Sequence, residues 1–307
     1  METEKVKRPN HPKKTAWAGV LRAVSFVFLL VAAVSGYLFF REFEVYKKGS
    51  KAYDSIAQAV LQNVSGKGKE MPAAQITEQT QVAQAALEAG SGQINSGSGT
   101  FPTPTLNPDQ IDYQRVRALV DVDFERLKAI NPDAIGWIFS ENTTINYPLV
   151  QGRDNIYYLN HLVNNEYNKL GSIFIDYRNK PDFGDEHTFI FGHNMNDGSM
   201  FYDLEKYKDP AYFEKHPFIY ILTKQTFYRI EVFAGYVTNP QNIGELYFNF
   251  ASPEAKERYV SEGKLRSNFH ADITVGEKDK IVSLFTCDYS TEDARFIVLG
   301  KLVPLYP

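Results

Sequence analysis

The chain has 307 residues, a formal net charge of -4 at pH 7 and a single cysteine. The mild charge, without a basic stripe, excludes nucleic acid as an expected partner, and one cysteine excludes an intramolecular disulfide. The 19 tyrosines and 22 phenylalanines are typical of a β-rich domain with a large core.

The amino-terminal segment predicts a membrane anchor. Residues 1–22 form a basic tail, and residues 23–40 are uncharged and strongly apolar. Together with the apolar residues just before Arg22, this run is long enough to cross a hydrocarbon core of about 30 Å. The positive-inside rule then leaves the tail in the cytoplasm and everything after Arg41 outside the cell.

A cleavable signal peptide is the alternative for this segment. Ala32, Ala33 and Ser35 supply small residues near a possible cleavage site. The apolar run continues past them through Phe40, however, and exceeds the length that is usual for a signal peptide. The uncleaved anchor is therefore the favoured interpretation.

Residues 41–110 are predicted to be an extracellular stalk and flexible linker. Residues 42–64 have apolar positions at loosely helical spacing, and a weak helix is predicted over 76–88. The Gly-, Ser- and Pro-rich stretch that follows cannot support a packed core. The segment is interpreted as a spacer, either one that carries a catalytic domain away from the bilayer or a tether without a specific length.

A globular domain is predicted over 111–307. It opens with an amphipathic helix or helix pair over 111–130, and further helices are predicted over 200–208 and 252–269. Eight short β-branched or aromatic runs read as strands: 137–139, 145–150, 173–177, 188–191, 218–222, 227–238, 281–286 and 296–303. A mainly β fold follows, a closed or nearly closed barrel with peripheral helices.

His193 is a candidate general acid or base. It follows the predicted strand that ends at Phe191 and Gly192, and the small polar residues NMNDGS come directly after it. A histidine at the mouth of a strand can be presented to a cleft, although most histidines are structural or lie on the surface. No histidine pair has metal-ligand spacing, so neither a metal nor another cofactor is expected.

Cys287 and Arg295 end one predicted strand and begin the next. If the two strands pair across the polar loop between them, the two residues become neighbours. A guanidinium beside a thiol favours the thiolate, and its N–H groups can also hold an oxyanion. A lone cysteine is more commonly a small buried apolar residue, and an arginine at a strand start is more commonly solvated.

These motifs together resemble class B sortases. The resemblance rests on SLFTC ending at Cys287, on Arg295 and on the GHNMNDGSMF block with His193, and it extends from about Asp112 to Leu302. It implies an eight-stranded sortase barrel with amino-terminal helices and an extra helix before the cysteine strand. Ser283 departs from the family motif, which more often has threonine there.

The resemblance also implies residue roles. Cys287 would be the nucleophile, His193 the general acid and base, and Arg295 the stabiliser of the oxyanion or the substrate carbonyl. The family further suggests substrate-binding candidates, namely Asn155, Leu159, Ser283 and Thr286. Asn155 could equally cap a turn, and Leu159 and Thr286 could equally be packing residues.

The implied function is that of a membrane-anchored cysteine transpeptidase of a Gram-positive bacterium. It would cleave the sorting signal of a surface protein after threonine and pass the acyl group to an amine of peptidoglycan or a pilin. Two alternatives stay open. One is a secreted cysteine protease or amidase that uses water, and the other is a surface binding module in which Cys287 is inert.

Overall fold

The computed structural model describes residues 14–62, 107–238, 247–287 and 294–306. Side chains are described from residue 22 onward, and at Cys287 the backbone alone is described. The predicted weak helix over 76–88 lies outside the described residues.

Helix α1, Lys14–Val60, carries the apolar run without a break into the globular part of the chain. It is long and apolar enough to cross a membrane over its first half, as judged by length and composition. Tyr53, Ile56 and Val60 are at most 7 % exposed, so its last turns pack into the core of the domain. The first part of the expected stalk is therefore a docked helix.

Two short helices follow, in the segment where a helix or helix pair was predicted. Helix α2, Pro108–Leu119, begins with a capping box in which the Asn107 side chain accepts a hydrogen bond from the Gln110 N–H, and Gln110 returns one to Asn107. Helix α3, Phe124–Ile130, is capped by Asp123. Helix α2 lies against β8, and α3 lies against β1 and the end of α1.

Eight strands form a closed barrel in the order β1-β2-β3-β4-β7-β8-β6-β5. The strands are β1 Ala134–Phe139, β2 Asn146–Val150, β3 Ile173–Ile175, β4 His187–Phe191, β5 Phe218–Leu222, β6 Phe227–Thr238, β7 Lys280–Cys287 and β8 Arg295–Leu305. The β2–β3 and β4–β7 pairs are parallel, and the others are antiparallel. The predicted barrel and all eight of its strands are confirmed.

The helices after β4 differ in detail from the prediction. The segment predicted over 200–208 is a 3-10 helix, Tyr202–Lys208, and a short helix α4, Pro210–Lys215, follows it without having been predicted. Helix α5, Pro253–Arg266, begins as expected, with the Ser252 hydroxyl accepting a hydrogen bond from the Ala255 N–H. It covers the outer face of β6, and its Gly263 is close to Leu299 of β8.

Candidate active site

Cys287 and Arg295 are direct neighbours in the sheet. Cys287 is the last residue of β7, Arg295 is the first residue of β8, and the two are paired in the antiparallel register. Directly opposed residues in such a pair have Cα atoms about 4.5–5.5 Å apart. The sequence-based expectation that the two strands pair across the loop is thus met at the backbone level.

His193 lies at the same end of the sheet, one strand further along. Strands β4 and β7 run parallel, with Phe191 opposite Phe285. The Gly192 N–H continues the pairing by donating to the Phe285 carbonyl at 3.1 Å. Continuing this register by two residues brings His193 to the level of Cys287, so all three candidate residues meet at one edge of the barrel.

Gly192 makes this placement possible. A Cβ at this position would come within 2.6 Å of the Phe201 ring, which is fully buried. Phe201 in turn donates its N–H to the His193 carbonyl at 2.9 Å. The strand end, the glycine and the buried ring therefore fix the backbone that carries the histidine.

The His193 ring has a defined hydrogen-bond partner. Its Nε2 lies 2.6 Å from the Leu159 carbonyl oxygen. A carbonyl oxygen only accepts hydrogen bonds, so Nε2 must carry a proton. When the ring is neutral, Nδ1 is therefore the nitrogen that is free to take up a proton, and the arrangement selects one tautomer for proton transfer.

Arg295 is half-buried at the start of β8. Its Nη1 donates to the Ala294 carbonyl at 3.0 Å, and its backbone lies between Cys287 of β7 and Thr238 of β6. Backbone pairing on both sides keeps the arginine at the edge where β7 ends. A guanidinium held there can stabilise negative charge that develops on a bound carbonyl.

Asn155 and Leu159 lie in the connection between β2 and β3. The Asn155 amide donates to Asp176 Oδ2 at 2.8 Å and accepts from the Tyr177 N–H at 3.1 Å, so it ties this connection to the end of β3. Burial alone would raise the pKa of Asp176, but hydrogen bonds from Arg178 and Asn155 outweigh it and hold the pKa below its usual value. The Leu159 side chain is 40 % exposed beside His193.

Ser283 and Thr286 lie inside the protein. Ser283 is fully buried, and its hydroxyl lies 2.7 Å from Nε2 of the buried His187. Thr286 is 1 % exposed, and its hydroxyl has no hydrogen-bond partner among the described residues. Neither hydroxyl lines an open groove, which differs from the expectation that both contact substrate; their contacts fit a role in packing the cysteine strand.

Comparisons with known proteins agree with this geometry. The family model described as "Sortase domain" matches residues 140–303. The Sortase B of Listeria monocytogenes is 41% identical over 181 residues, which cover 58% of this chain and 72% of that protein. This coverage and identity decide the family.

The chain is a class B sortase. Solved structures place it in the same fold. The Staphylococcus aureus sortase B–substrate complex matches with a TM-score of 0.57 at 33% identity, covering 64% of this chain and 94% of that chain. Clostridium perfringens sortase B matches with a TM-score of 0.56 at 33% identity, covering 59% and 100%. The protein is accordingly a cysteine transpeptidase.

An aromatic layer supports the active-site edge of this sortase. Phe191 of β4 lies against Phe285 of β7, with ring centroids 5.2 Å apart, and against Phe174 of β3 at 5.5 Å. The three rings join the strand that leads to His193 with the strand that ends in Cys287. Close-packed rings of this kind resist displacement of one strand relative to the other.

Two features of this sortase, one at the site and one at the far end of β4, were not found from the sequence. The Leu159 carbonyl that accepts the hydrogen bond from His193 is a backbone group, so it cannot be predicted from the residue type at position 159. His187 was not singled out from the sequence, yet it is fully buried between Ser283 and the rings of Phe250 and Tyr259. Its position at the start of an apolar strand was the one available signal.

Within the described ranges, no group of three or more His, Cys, Asp or Glu side chains is arranged to hold a metal. A cavity of about 490 Å³ opens elsewhere, between α3 and the β5–β6 turn, and is lined by residues such as Leu127, Thr223 and Tyr228. Neither His193 nor Arg295 lines this cavity.

Proposed function

We propose that this sortase cleaves the carboxy-terminal sorting signal of secreted surface proteins after threonine and transfers the acyl group to an amine of peptidoglycan or a pilin. Cys287 is the nucleophile, His193 the general acid and base, and Arg295 the oxyanion stabiliser. The observation that carries the proposal is the strand register, which brings these three residue types to one edge of the barrel.

The first half-reaction forms a thioester. The Cys287 sulfur attacks the threonine carbonyl carbon, and the thiol proton passes to Nδ1 of His193, the nitrogen that does not donate to Leu159. The Arg295 guanidinium stabilises the oxyanion of the tetrahedral intermediate. The C–N bond then breaks, and His193 gives its proton to the leaving amine.

The second half-reaction reverses these roles. The incoming amine attacks the thioester carbonyl, gives a proton to His193 and expels the Cys287 sulfur, which recovers its proton. One amide bond is broken and one is formed, so the bond energy kept in the thioester suffices without a nucleotide. Water in place of the amine would complete hydrolysis by the same route.

The proposed location is the outer face of the cell membrane. Helix α1 serves as a single-pass anchor, with the basic residues 1–22 in the cytoplasm and the barrel outside. Secreted surface proteins and the growing wall or pilus are accessible on that side. The exposed side chain of Leu159 and the neighbouring Asn155 are proposed to line the groove for the sorting peptide.

The test uses the full chain in vesicles, a panel of sorting-signal peptides, and reactions with and without an amine acceptor. Mass spectrometry of the products identifies the bond that is cut and the group that is joined. We expect cleavage after threonine and an amine-ligated product, with both absent from Cys287→Ala. Cys287→Ser is the matched variant, since it replaces the thiol with a hydroxyl of similar shape that is a much weaker nucleophile.

Two results would contradict the proposal. Cleavage that yields the free acid alone across a panel of cross-bridge peptides and lysine amines would establish a hydrolase. A folded protein that cuts no peptide, and whose Cys287 does not react with a small thiol reagent, would establish a binding module.

A further inference from the structure

The carbonyl that accepts the hydrogen bond from His193 belongs to the last residue of a short helix, and this helix is packed against a neighbouring backbone segment. The helix is the 3-10 helix Tyr157–Leu159 in the connection between β2 and β3. Residues 168–172, which lead into β3, run beside its end, and the Ser172 N–H donates to the Tyr158 carbonyl at 2.8 Å. The direction of the carbonyl therefore depends on what lies against this helix.

Gly171 lies directly against that carbonyl. A Cβ at this position would come within 2.6 Å of the carbonyl oxygens of Tyr158 and Leu159, and within 2.8 Å of the Leu159 carbonyl carbon. These are backbone atoms, so they cannot turn aside as the end of a flexible side chain can. The φ of Gly171 is +58°, in the left-handed region that residues with a side chain disfavour. The close approach of the two backbones thus requires glycine.

The backbone of Gly171 is held on both sides. Its N–H donates to the Asn168 carbonyl at 3.0 Å, and its carbonyl accepts a hydrogen bond from the Tyr53 hydroxyl of α1 at 2.5 Å. Gly171 is buried, whereas the Leu159 side chain is 40 % exposed. A side chain at position 171 would therefore be accommodated mainly by displacement of the Leu159 carbonyl.

Displacement of this carbonyl would reach the imidazole of His193. The Nε2–H donates to the Leu159 oxygen at 2.6 Å, and this bond fixes the orientation of the ring and the nitrogen that carries the proton. A misplacement of a reacting group by about 1 Å can cost about a hundredfold in rate. An ordinary contact of a Cβ begins at 3.4 Å, so the shift that relieves a 2.6 Å contact is slightly smaller. A loss of about tenfold in kcat is expected.

We propose that Gly171 is a positioning residue for His193. Because it has no side chain, it leaves the space in which the Leu159 carbonyl accepts the Nε2–H. The inference rests on the proposed role of His193 as general acid and base, and it adds a residue that touches neither the substrate nor the reacting atoms. A buried glycine between α1 and the 3-10 helix thereby determines which imidazole nitrogen faces the reaction.

The test is solid-state NMR of the full chain in vesicles with isotope-labelled histidine, combined with kcat for cleavage of a sorting peptide. The His193 signals are assigned by their absence from His193→Gln. In the unaltered protein we expect the Hε2 proton of His193 to resonate downfield, as for an N–H that donates a short hydrogen bond. In Gly171→Ala this resonance should move towards that of a solvated imidazole, and kcat per folded molecule should fall by about tenfold.

Gly171→Asn is the second variant, because asparagine adopts a positive φ more readily than alanine does. It introduces the same Cβ with less backbone strain, so it tests the contact where Gly171→Ala does not fold. The Hε2 resonance and kcat should change in the same direction in both variants.

Two control variants separate the contact from strain and from stability. Gly198 has a φ of +84°, but a Cβ there would meet nothing within 4 Å, so Gly198→Ala introduces strain without a clash. Tyr53→Phe removes the hydrogen bond to the Gly171 carbonyl and adds no side chain beside Leu159. Both controls should keep the Hε2 resonance of the unaltered protein.

Three results would overturn the proposal. One is an unchanged Hε2 resonance in a folded variant of Gly171, with or without a loss of kcat, since a loss without a change at His193 indicates a structural role alone. Another is an equal change in Gly198→Ala. The third is the absence of a downfield Hε2 resonance from the unaltered protein. An unaltered protein that shows this resonance but cleaves no peptide would instead overturn the proposed function and leave the placement of the ring standing.

Discussion

Two regions meet at the active site, and they are built in different ways. The strip formed by β4, β7 and β8 presents His193, Cys287 and Arg295 at the ends of paired strands, with a layer of packed aromatic rings beneath. The β2–β3 connection, residues 151–172, is largely irregular and presents exposed side chains together with the Leu159 carbonyl. We propose that the strip supplies the reacting groups, and that the connection orients His193 and borders the substrate groove.

The difference explains how one barrel can combine fixed chemistry with adaptable recognition. A one-residue shift of a strand would turn each side chain to the opposite face, so the register of the strip cannot vary without loss of the site. An irregular connection tolerates substitution of its exposed side chains because its backbone carries the essential hydrogen bond. Substitutions in the two regions should therefore have different effects.

The largest of these effects is expected at the open end of the strip. Arg295→Ala should lower kcat by about a hundredfold to a thousandfold, because it removes the donor that we propose stabilises the developing oxyanion. Arg295→Lys keeps the charge but not the fork of donors and should recover part of the loss. Steady-state cleavage of a sorting peptide measures both. Equal kcat for Arg295→Ala and the unaltered protein would exclude the oxyanion role.

Gly192→Ala tests whether the backbone of the strip positions His193. The new methyl group would overlap the Phe201 ring, and we expect a destabilisation of about 1–3 kcal/mol together with reduced kcat. Phe201→Leu in the same chain makes room and should restore part of kcat even if stability stays low. If kcat falls only in proportion to the fraction of folded protein in both variants, Gly192 does not position His193.

His187 gives the strip a predicted pH dependence. Burial lowers the pKa of His187 to about 3, from 6.5 in the unfolded chain. Between pH 6.5 and about pH 3 the unfolded state binds a proton that the folded state does not. The free energy of unfolding is therefore highest above pH 6.5 and falls by about 1.4 kcal/mol for each pH unit below that value. Urea unfolding at pH 7 and pH 5 measures it. His187→Gln should show a smaller decrease, and an equal decrease would contradict this assignment.

The smallest effect is expected in the β2–β3 connection. Tyr53→Phe removes the hydrogen bonds from α1 to the Gly171 carbonyl and the Ser172 hydroxyl and should cost about 1 kcal/mol. This loss of stability should be measurable as reduced hydrogen-exchange protection of the backbone of residues 166–172, while kcat stays nearly unchanged. Ser55→Ala, an exposed position on the same helix, is the control. A large loss of kcat for Tyr53→Phe would mean that the two regions are not separable.

The strands of the strip, and the pairing of Cys287 with Arg295, were predictable from sequence because their signals are local. Short apolar runs define the strands, and the polar residues 288–294 between Cys287 and Arg295 indicate a turn that makes them neighbours. The capping residue Ser252, which marks the start of the predicted helix over 252–269, lies within three positions of the group that it caps. Such features depend on nearest neighbours along the chain, so one sequence is enough to find them. The parallel pairing of β4 with β7, which brings in His193, joins distant segments and was expected only from the resemblance to class B sortases.

The connection was not predictable because its contacts join distant segments. Tyr53 and Gly171 are separated by 118 positions, and His193 and Leu159 by 34. Nothing in the residue types around Leu159 indicates that its carbonyl receives an imidazole. For the same reason the helical spacing of Tyr53, Ile56 and Val60 predicted a helix but not the surface against which that helix packs.

The most direct test of the central claim is the intact mass of the full chain during turnover of a sorting peptide without acceptor. Because the chain has one cysteine, a thioester adduct can only be on Cys287. We expect an adduct with the mass of the peptide up to its threonine, which disappears when an amine is added and does not form in His193→Ala. Cleavage by Cys287→Ala, or product formation without any adduct under rapid quenching, would contradict the account.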